Sequence, residues 1–426
     1  MEITVSIDSR GALLRNGVPM VSISVPSLRR RQYLFLPVDE MSRLGGCEGL
    51  LEDFLLVAGS CYVIDQLVPR ASFPDNWTRE LEVTLPVSDP SIWSGLSLRL
   101  SQALTFLTGD RWTMVFTEGH LPAHSSLAQC RLPVETHLVP AVSLFSGGLD
   151  SLVGVVDELC ESGQPLALVG HYDVGSVARM AQRKLYGQLV QRFGGDQVHL
   201  FQGRIGRADP LDVTGDGSAL PGAYGLETTY RSRSLVFIAL GLFVARKWGR
   251  NDSVPLLVPE NGLIALNPPL TPSRLGSCST RTAHPFFLAR LEALIRGLGM
   301  ENSITNPFAG KTKGQLVAAS RDLPLVTQLA ADTISCAHPT RRMGWIRRDA
   351  THCGYCIPCI FRRAALHRVG LDRGYEYGYD VCAGELDLDR EIASDLRAVL
   401  TWISDARAGL SSPTQQACRL TLPPDQ

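Results

Sequence analysis

Two groups of residues in this chain of 426 have types and spacings that do chemistry. The first is Ser146-Gly147-Gly148-Leu149-Asp150-Ser151, which follows the apolar run Val139 to Phe145 and precedes a helical pattern. Paired glycines let backbone approach an anion closely and take up left-handed dihedrals. A helix that starts there offers unpaired N–H groups and the positive end of its dipole, and Ser146 and Ser151 add hydroxyls. Such a turn cradles phosphate. Asp150 would repel an anion, so it is expected to hold Mg²⁺ or to fix the loop. The alternative is an ordinary glycine-containing turn, against which the full six-residue string between strand and helix argues. The string is not G-x-x-x-x-G-K-[ST], which excludes a Walker-type NTPase.

The second group is Cys336, Cys353, Cys356 and Cys359. Three of them form Cys353-Gly-Tyr-Cys356-Ile-Pro-Cys359, and the fourth lies upstream with sixteen residues between. Zn²⁺ takes four tetrahedral ligands about 2.3 Å from each sulfur, and a C-x2-C turn aims two thiolates at one ion. His338 and His352 are neighbouring candidates, but four cysteines already fill the shell. The expectation is a closed, structural zinc site without catalytic water. Eleven cysteines in all are too sparse for a disulfide scaffold. Cys47, Cys61, Cys130, Cys160, Cys278, Cys382 and Cys418 read as small buried apolar side chains.

The elements that would position these groups read as α/β throughout. Glu2 to Asp8, Val21 to Val25, Gln32 to Val38, Leu81 to Leu85 and Trp112 to Phe116 read as strands, and Gly49 to Val68 and Pro90 to Leu107 as helices. Together they suggest an N-terminal α/β domain over 1–135, with Gly119 to Val134 as its linker. Arg29, Arg30 and Arg31 read as a solvated loop. From about 138, short apolar strands alternate with helices. Val139 to Phe145, Pro165 to Tyr172, Gln197 to Gln202 and Val254 to Val258 are strands; Ser151 to Cys160, Ser176 to Phe193 and Glu227 to Trp248 are helices. That alternation implies a parallel sheet covered on both faces, with ligands at the carboxyl ends of its strands. A helical tail follows over 376–426.

Composition narrows the function. Lys and Arg number 41 against 42 Asp and Glu, a net charge of -1, so a generally basic nucleic-acid coat is excluded. Apolar residues make up 45% and charged residues 19%, ample for a core. The first residues show no basic and apolar signal pattern, and Leu235 to Ala245 is about half a bilayer span. A cytoplasmic chain, not a membrane protein, is expected.

Ser146 to Ser151 resembles the SGGxDS signature of the PP-loop ATP pyrophosphatases, which cleave ATP between the α- and β-phosphates. Further segments resemble the 7-cyano-7-deazaguanine synthase (QueC) family within them. These are Asn306-Pro-Phe-Ala-Gly-Lys311-Thr-Lys313, then Thr333-Ile-Ser-Cys336, the CGxCxxC knuckle and Arg362. Arg231-Ser-Arg233-Ser234 is similar to that family's R-N-x-x-F-L helix start, with Ser234 in place of its asparagine. His171-Tyr172-Asp173 stands where the family has a nucleotide-facing turn. The family's Y-P-D-x-R stretch is replaced by Ser277-Cys278-Ser279-Thr280-Arg281-Thr282-Ala283-His284-Pro285. The resemblance spans roughly 138–370. With the extra N-terminal domain and tail, the chain is similar to the QueC-like component of Qat anti-phage defence systems.

The resemblance implies a PP-loop (adenine nucleotide alpha hydrolase-like) domain over 136–375 with a C-terminal zinc knuckle. It implies ATP and Mg²⁺ as cofactors beside Zn²⁺, and a 7-deazaguanine carboxylate as substrate. The carboxylate is adenylated and then coupled to ammonia or to the amine of a protein from the same defence system. Ser146, Gly147, Gly148, Leu149, Asp150, Ser151, His171 and Tyr172 would bind nucleotide. Asp150, Lys313 and Arg233 would act in catalysis, with Lys311 the alternative lysine and Arg281 and His284 as substrate contacts. The rival readings are a tRNA-modifying pyrophosphatase, for which no basic face is evident, and a non-catalytic scaffold.

Overall fold

A computed structural model describes residues 1–7, 21–26, 32–47, 49–121, 136–173, 177–208, 227, 229, 231–266, 281–339 and 341–408. Arg29 to Arg31, most of the linker, Cys130, Ser277 to Thr280, Cys418 and the chain beyond 408 lie outside them.

Alternation marks the first sheet. In β1 (Glu2–Ile7), β5 (Arg111–Glu118) and the first half of β4 (Glu80–Val87) buried side chains alternate with exposed ones, the period of a sheet with one wet face, while β4 ends in the buried run Leu85 to Val87. β5, β4 and β1 run parallel, and β2 (Val21–Ser24) and β3 (Gln32–Phe35) continue antiparallel. Three helices accompany it: α1 (Val38–Arg43), α2 (Gly49–Leu67) and α3 (Pro90–Thr108). α3 starts where Asp89 accepts from the N–H groups of Ser91 and Ile92, and stops at Gly109 with φ 75°.

Continuous apolar runs make the second sheet. Every residue of β6 (Ala141–Leu144) and β7 (Leu166–His171) is buried, as both faces of a parallel sheet are covered. β8 (Val198–Gly203) lies outside β7. On the other side of β6 lie β10 (Leu256–Leu257) and β11 (Ile304–Thr305), all parallel. The helices are α4 (Leu149–Ser162), α5 (Val177–Phe193), α6 (Arg233–Trp248), α7 (Gly262–Leu266), α8 (Pro285–Gly297), α9 (Lys313–Ala318), α10 (Leu323–Leu329), α11 (Ile357–Arg368) and α12 (Ser394–Arg407). None of the described helices is long and apolar enough to cross a membrane.

The expected boundary near 135 does not separate two cores. β9 (Gly206–Arg207) follows the second sheet's β8 in sequence, yet it pairs with β3 at the edge of the first sheet. α6 is apolar nearly all round and buried, and it packs against α2 as well as against β6 and β7. One apolar cluster therefore runs from Ile3 through Phe54, Val142 and Leu240 to Ile304. A buried polar network seals the seam. Arg79 bridges Asp65 and Asp110, Arg70 pairs with Asp110 at 2.7 Å, and the Ser232 hydroxyl donates to Asp65 at 2.7 Å just before α6. α6 begins at Arg233 rather than Glu227 because Thr229 and Ser232 turn their hydroxyls to Asp65. The boundary at 375 likewise falls inside a packed unit, since Tyr379, Leu386, Ala393 and Leu396 cluster with the four cysteines.

Candidate active site and metal centre

The second sheet has the order β11-β10-β6-β7-β8, so the connections that leave the neighbouring strands β6 and β10 run in opposite directions and the order reverses between them. Crevices that hold ligands open at such a reversal, outside the carboxyl ends of the strands. The loop Ser146 to Ser151 leaves β6 there, and Pro259-Glu260-Asn261 leaves β10.

The loop's turn depends on its two glycines. Gly147 has φ +80°, and a Cβ there would crowd Gln182 at 3.3 Å. A Cβ on Gly148 would lie 3.4 Å from the Ile334 carbonyl. The exposed Ser146 hydroxyl is 3.2 Å from both the Ser151 hydroxyl and the Gly148 N–H, and Ser151 donates back to the Gly148 carbonyl at 2.9 Å. Gly148 caps α4 with no side chain bonded to the first-turn N–H groups, whereas Asp89 and Thr312 cap α3 and α9. The start of α4 is the one of these three left open to an incoming anion.

Asp150 latches the reversal shut. Its Oδ2 accepts from the Asn261 N–H at 3.2 Å and the Asn261 amide at 2.7 Å, and its Oδ1 pairs with the Lys313 ammonium. Lys313 opens α9 behind a capping box formed by Thr312 and Gln315. Both charged side chains are only 10–12% exposed. Glu260 sits beside this pair: burial and the Asp150 charge push its carboxyl up to about 8, and Lys313 offsets part of the rise. Asn306 holds the Glu260 backbone at both ends, with bonds of 3.3 and 2.8 Å. Glu260 and Asn261 escaped the sequence reading, because Pro-Glu-Asn-Gly reads as a turn and its partner lies 111 residues away.

The other expected residues divide. Lys311 is exposed, with its ammonium 5.5 Å from the Phe308 ring, so Lys313 is the lysine at the latch. Arg233 starts α6 near His171 and stacks on Phe237 at 5.5 Å. The His171 ring is 2% exposed and bonded to the Ile205 carbonyl at 2.7 Å, and burial lowers its pKa to about 4. A neutral, enclosed ring is unavailable to a ligand at that turn. Tyr172 is 8% exposed, stacked under Arg179 and 3.5 Å from Glu40. Arg281 donates to the Phe106 carbonyl at 2.6 Å and lies over its ring, and His284 caps α8 through Nδ1. Both side chains fasten α3 to α8.

The four cysteines form a group that could hold a metal ion. Their sulfurs all lie within 4.8 Å of one another and are buried. Cys353 and Cys359 Sγ are 3.8 Å apart, about the tetrahedral edge that a 2.3 Å Zn–S bond requires. N–H groups of His338 and Cys353 donate to Cys336 Sγ at 3.3 Å, and that of Cys356 to Cys353 Sγ at 3.4 Å. Bonds from Cys353 and its neighbours hold the Cys336 thiol well below its usual range, while Cys356 and Cys359 rise well above theirs. Four thiolates cannot coexist here without a cation, and the donor set fits a metal ion such as zinc. Neither histidine is a ligand. His352 Nε2 accepts from the Ser335 N–H at 3.2 Å, and the His338 ring stacks with Tyr355. The centre reaches the loop through one strap, in which the Ile334 N–H donates to the Gly147 carbonyl at 2.8 Å. Arg362, buried, braces that strap by bonds to Thr333 and the Ala330 carbonyl.

A groove of about 660 Å³ lined by His137, Tyr186, His199 and Trp248 lies at the opposite, amino ends of the strands and takes no part in this site. No protein-family model and no curated protein matches the chain.

Proposed function

We propose that the chain is a QueC-like PP-loop enzyme: an AMP-forming, ATP-dependent ligase that adenylates a 7-deazaguanine carboxylate and couples it to an amine. The observation that carries the reading is the Ser146 to Ser151 loop at the strand-order reversal, with Asp150 held there by Asn261 and Lys313. A carboxylate oxygen attacks the α-phosphorus, the bond to the bridging oxygen breaks, and pyrophosphate leaves. The amine nitrogen then adds to the acyl carbon, AMP departs, and the nitrogen loses a proton. No side chain need act as nucleophile. The work is positioning and charge stabilisation.

In this reading Gly147, Gly148 and the open start of α4 receive the pyrophosphate, with Ser146 and Ser151 as hydroxyl donors. Lys313 supplies positive charge beside the same loop. Mg²⁺, when bound with the nucleotide, neutralises phosphate oxygens. Asp150 is the carboxylate beside the loop that would suit it. Zinc has a structural part, holding the Thr333 to Cys336 strap against Gly147. The setting is a cytoplasmic anti-phage defence system whose companion protein supplies the amine when ammonia does not.

The test is pyrophosphate release from ATP with 7-carboxy-7-deazaguanine, with and without ammonia, and mass spectrometry of the products. Release that requires the acid supports the reading. An adenylate end point without ammonia, converted to amide when it is added, identifies the amine step. Release that instead needs tRNA, or none with any acceptor, overturns it in favour of a tRNA-modifying enzyme or a scaffold.

A further inference from the structure

We infer that Asp173 accepts hydrogen bonds from the ribose hydroxyls of the bound nucleotide, and that Tyr62, from α2 of the first sheet, positions it. The inference rests on the nucleotide reading above and adds a subsite to it. Leu144 lies opposite Val169 in the β6–β7 register, so Ser146 at the start of the loop is level with His171. Asp173 then stands two residues past the sheet edge on the adjoining strand, about 4.8 Å away laterally. A nucleotide whose phosphates lie on the loop has its sugar within reach of that strand's end.

The carboxylate is prepared for a diol. Tyr62 donates to Asp173 Oδ2 at 3.1 Å, and Tyr62 itself is fully buried and fixed edge-on to His171. Among the described residues no donor reaches Oδ1. A Cβ at position 206 would lie 3.3 Å from Oδ1, so Gly206 leaves that oxygen room. Asp173 keeps partial exposure where His171 and Tyr172 are buried. A carboxylate presents two oxygens to two vicinal hydroxyls, and acidic groups at the end of the second strand take this role in parallel nucleotide-binding sheets. Because Tyr62 belongs to the first sheet, that sheet is part of the subsite's construction.

Binding of ATP, 2′-deoxy-ATP, 3′-deoxy-ATP and tripolyphosphate to the full chain, without acceptor acid, tests this by calorimetry. Wild type is expected to bind ATP roughly tenfold to a hundredfold tighter than at least one deoxynucleotide, the worth of a hydrogen bond to a charged acceptor. Asp173→Ala should bring ATP to the deoxynucleotide level and leave tripolyphosphate unchanged. Tyr62→Phe, which removes only the hydroxyl, should narrow the ribose discrimination and also leave tripolyphosphate unchanged. Equal binding of ATP and both deoxynucleotides by wild type overturns the inference, as does an Asp173→Ala loss shared by tripolyphosphate. Should Asp173→Ala fail to fold, Asp173→Asn and the wild-type comparison still decide. Wild type that binds no ATP defeats the nucleotide reading itself. ATP binding indifferent to the hydroxyls defeats the ribose subsite alone.

Discussion

Lys313 and Asp150 are each other's solution to burial. Removing one leaves the other charged in a site only 10–12% exposed, a loss on the order of 3 kcal/mol for a pair of this kind. Lys313→Met is therefore expected to lower the unfolding midpoint and to cut acid-dependent pyrophosphate release at least a hundredfold. Asp150→Asn should keep its contact with Asn261 yet sharply lower release while zinc stays bound. Pyrophosphate assay and metal analysis on one preparation check both. Glu260 makes a separate, pH-resolved prediction. Its folded pKa, about 8, lies above the usual 4.5, so the folded chain holds the extra proton and stability falls as pH rises between those values. Glu260→Gln mimics the protonated form, so its stability relative to wild type should grow by on the order of 4 kcal/mol from pH 5 to pH 8.5. Urea midpoints at the two pH values measure this; a constant difference would refute the cause. The loop and the cysteines were legible in the sequence because their members are neighbours along the chain. The latch was not, because Asp150, Asn261 and Lys313 meet only once the strands are ordered.

Among the elements, strands and helices were legible wherever the period was clean: β6, β7, α2 and α3 fall within about two residues of their expected ends. What periodicity could not show was β9, two residues long and paired with a strand more than 170 residues earlier, or the late start of α6. The metal centre is the element-scale case with a functional consequence. Its four thiols have a small core of their own, into which Trp345, Tyr379 and Leu386 pack, and its strap ends on the Gly147 carbonyl. Stripping the metal with a strong chelator, or Cys356→Ser, is expected to loosen this strap and shift Gly147. ATP affinity should then fall about tenfold or more, while the first sheet keeps its strand signal in circular dichroism. Retention of full affinity by metal-free protein would separate knuckle from loop. A packing contact at the same reversal adds a mutational handle. A Cβ on Gly154 of α4 would meet Pro259 Cβ and overlap it, so Gly154→Ala should cost roughly 1–3 kcal/mol by overpacking.

The whole molecule is two sheets around one core, and this decides how it should unfold. Asp65 carries the join: it receives Arg79, the Ser232 N–H and the Ser232 hydroxyl, and the Thr229 hydroxyl, all from elsewhere in the chain. It is itself fully buried, as is Arg79. Replacing two such charges together can be neutral, but removing one leaves an uncompensated ion, a loss of about 3–5 kcal/mol. Asp65→Ala should therefore destabilise both sheets at once. Thermal unfolding followed by tryptophan fluorescence reads Trp93 and Trp112 in the first sheet's layer and Trp248 in the second's. Circular dichroism reads the whole. Both probes should give one coincident transition in wild type, moved down together in the variant. The geometry behind this is the burial of α6 between α2 on one side and β6 and β7 on the other: melting either layer would bare an apolar helix to water at about 25 cal/mol for each Å² exposed. Two separated transitions, only one of them shifted by Asp65→Ala, would show that the layers fold apart.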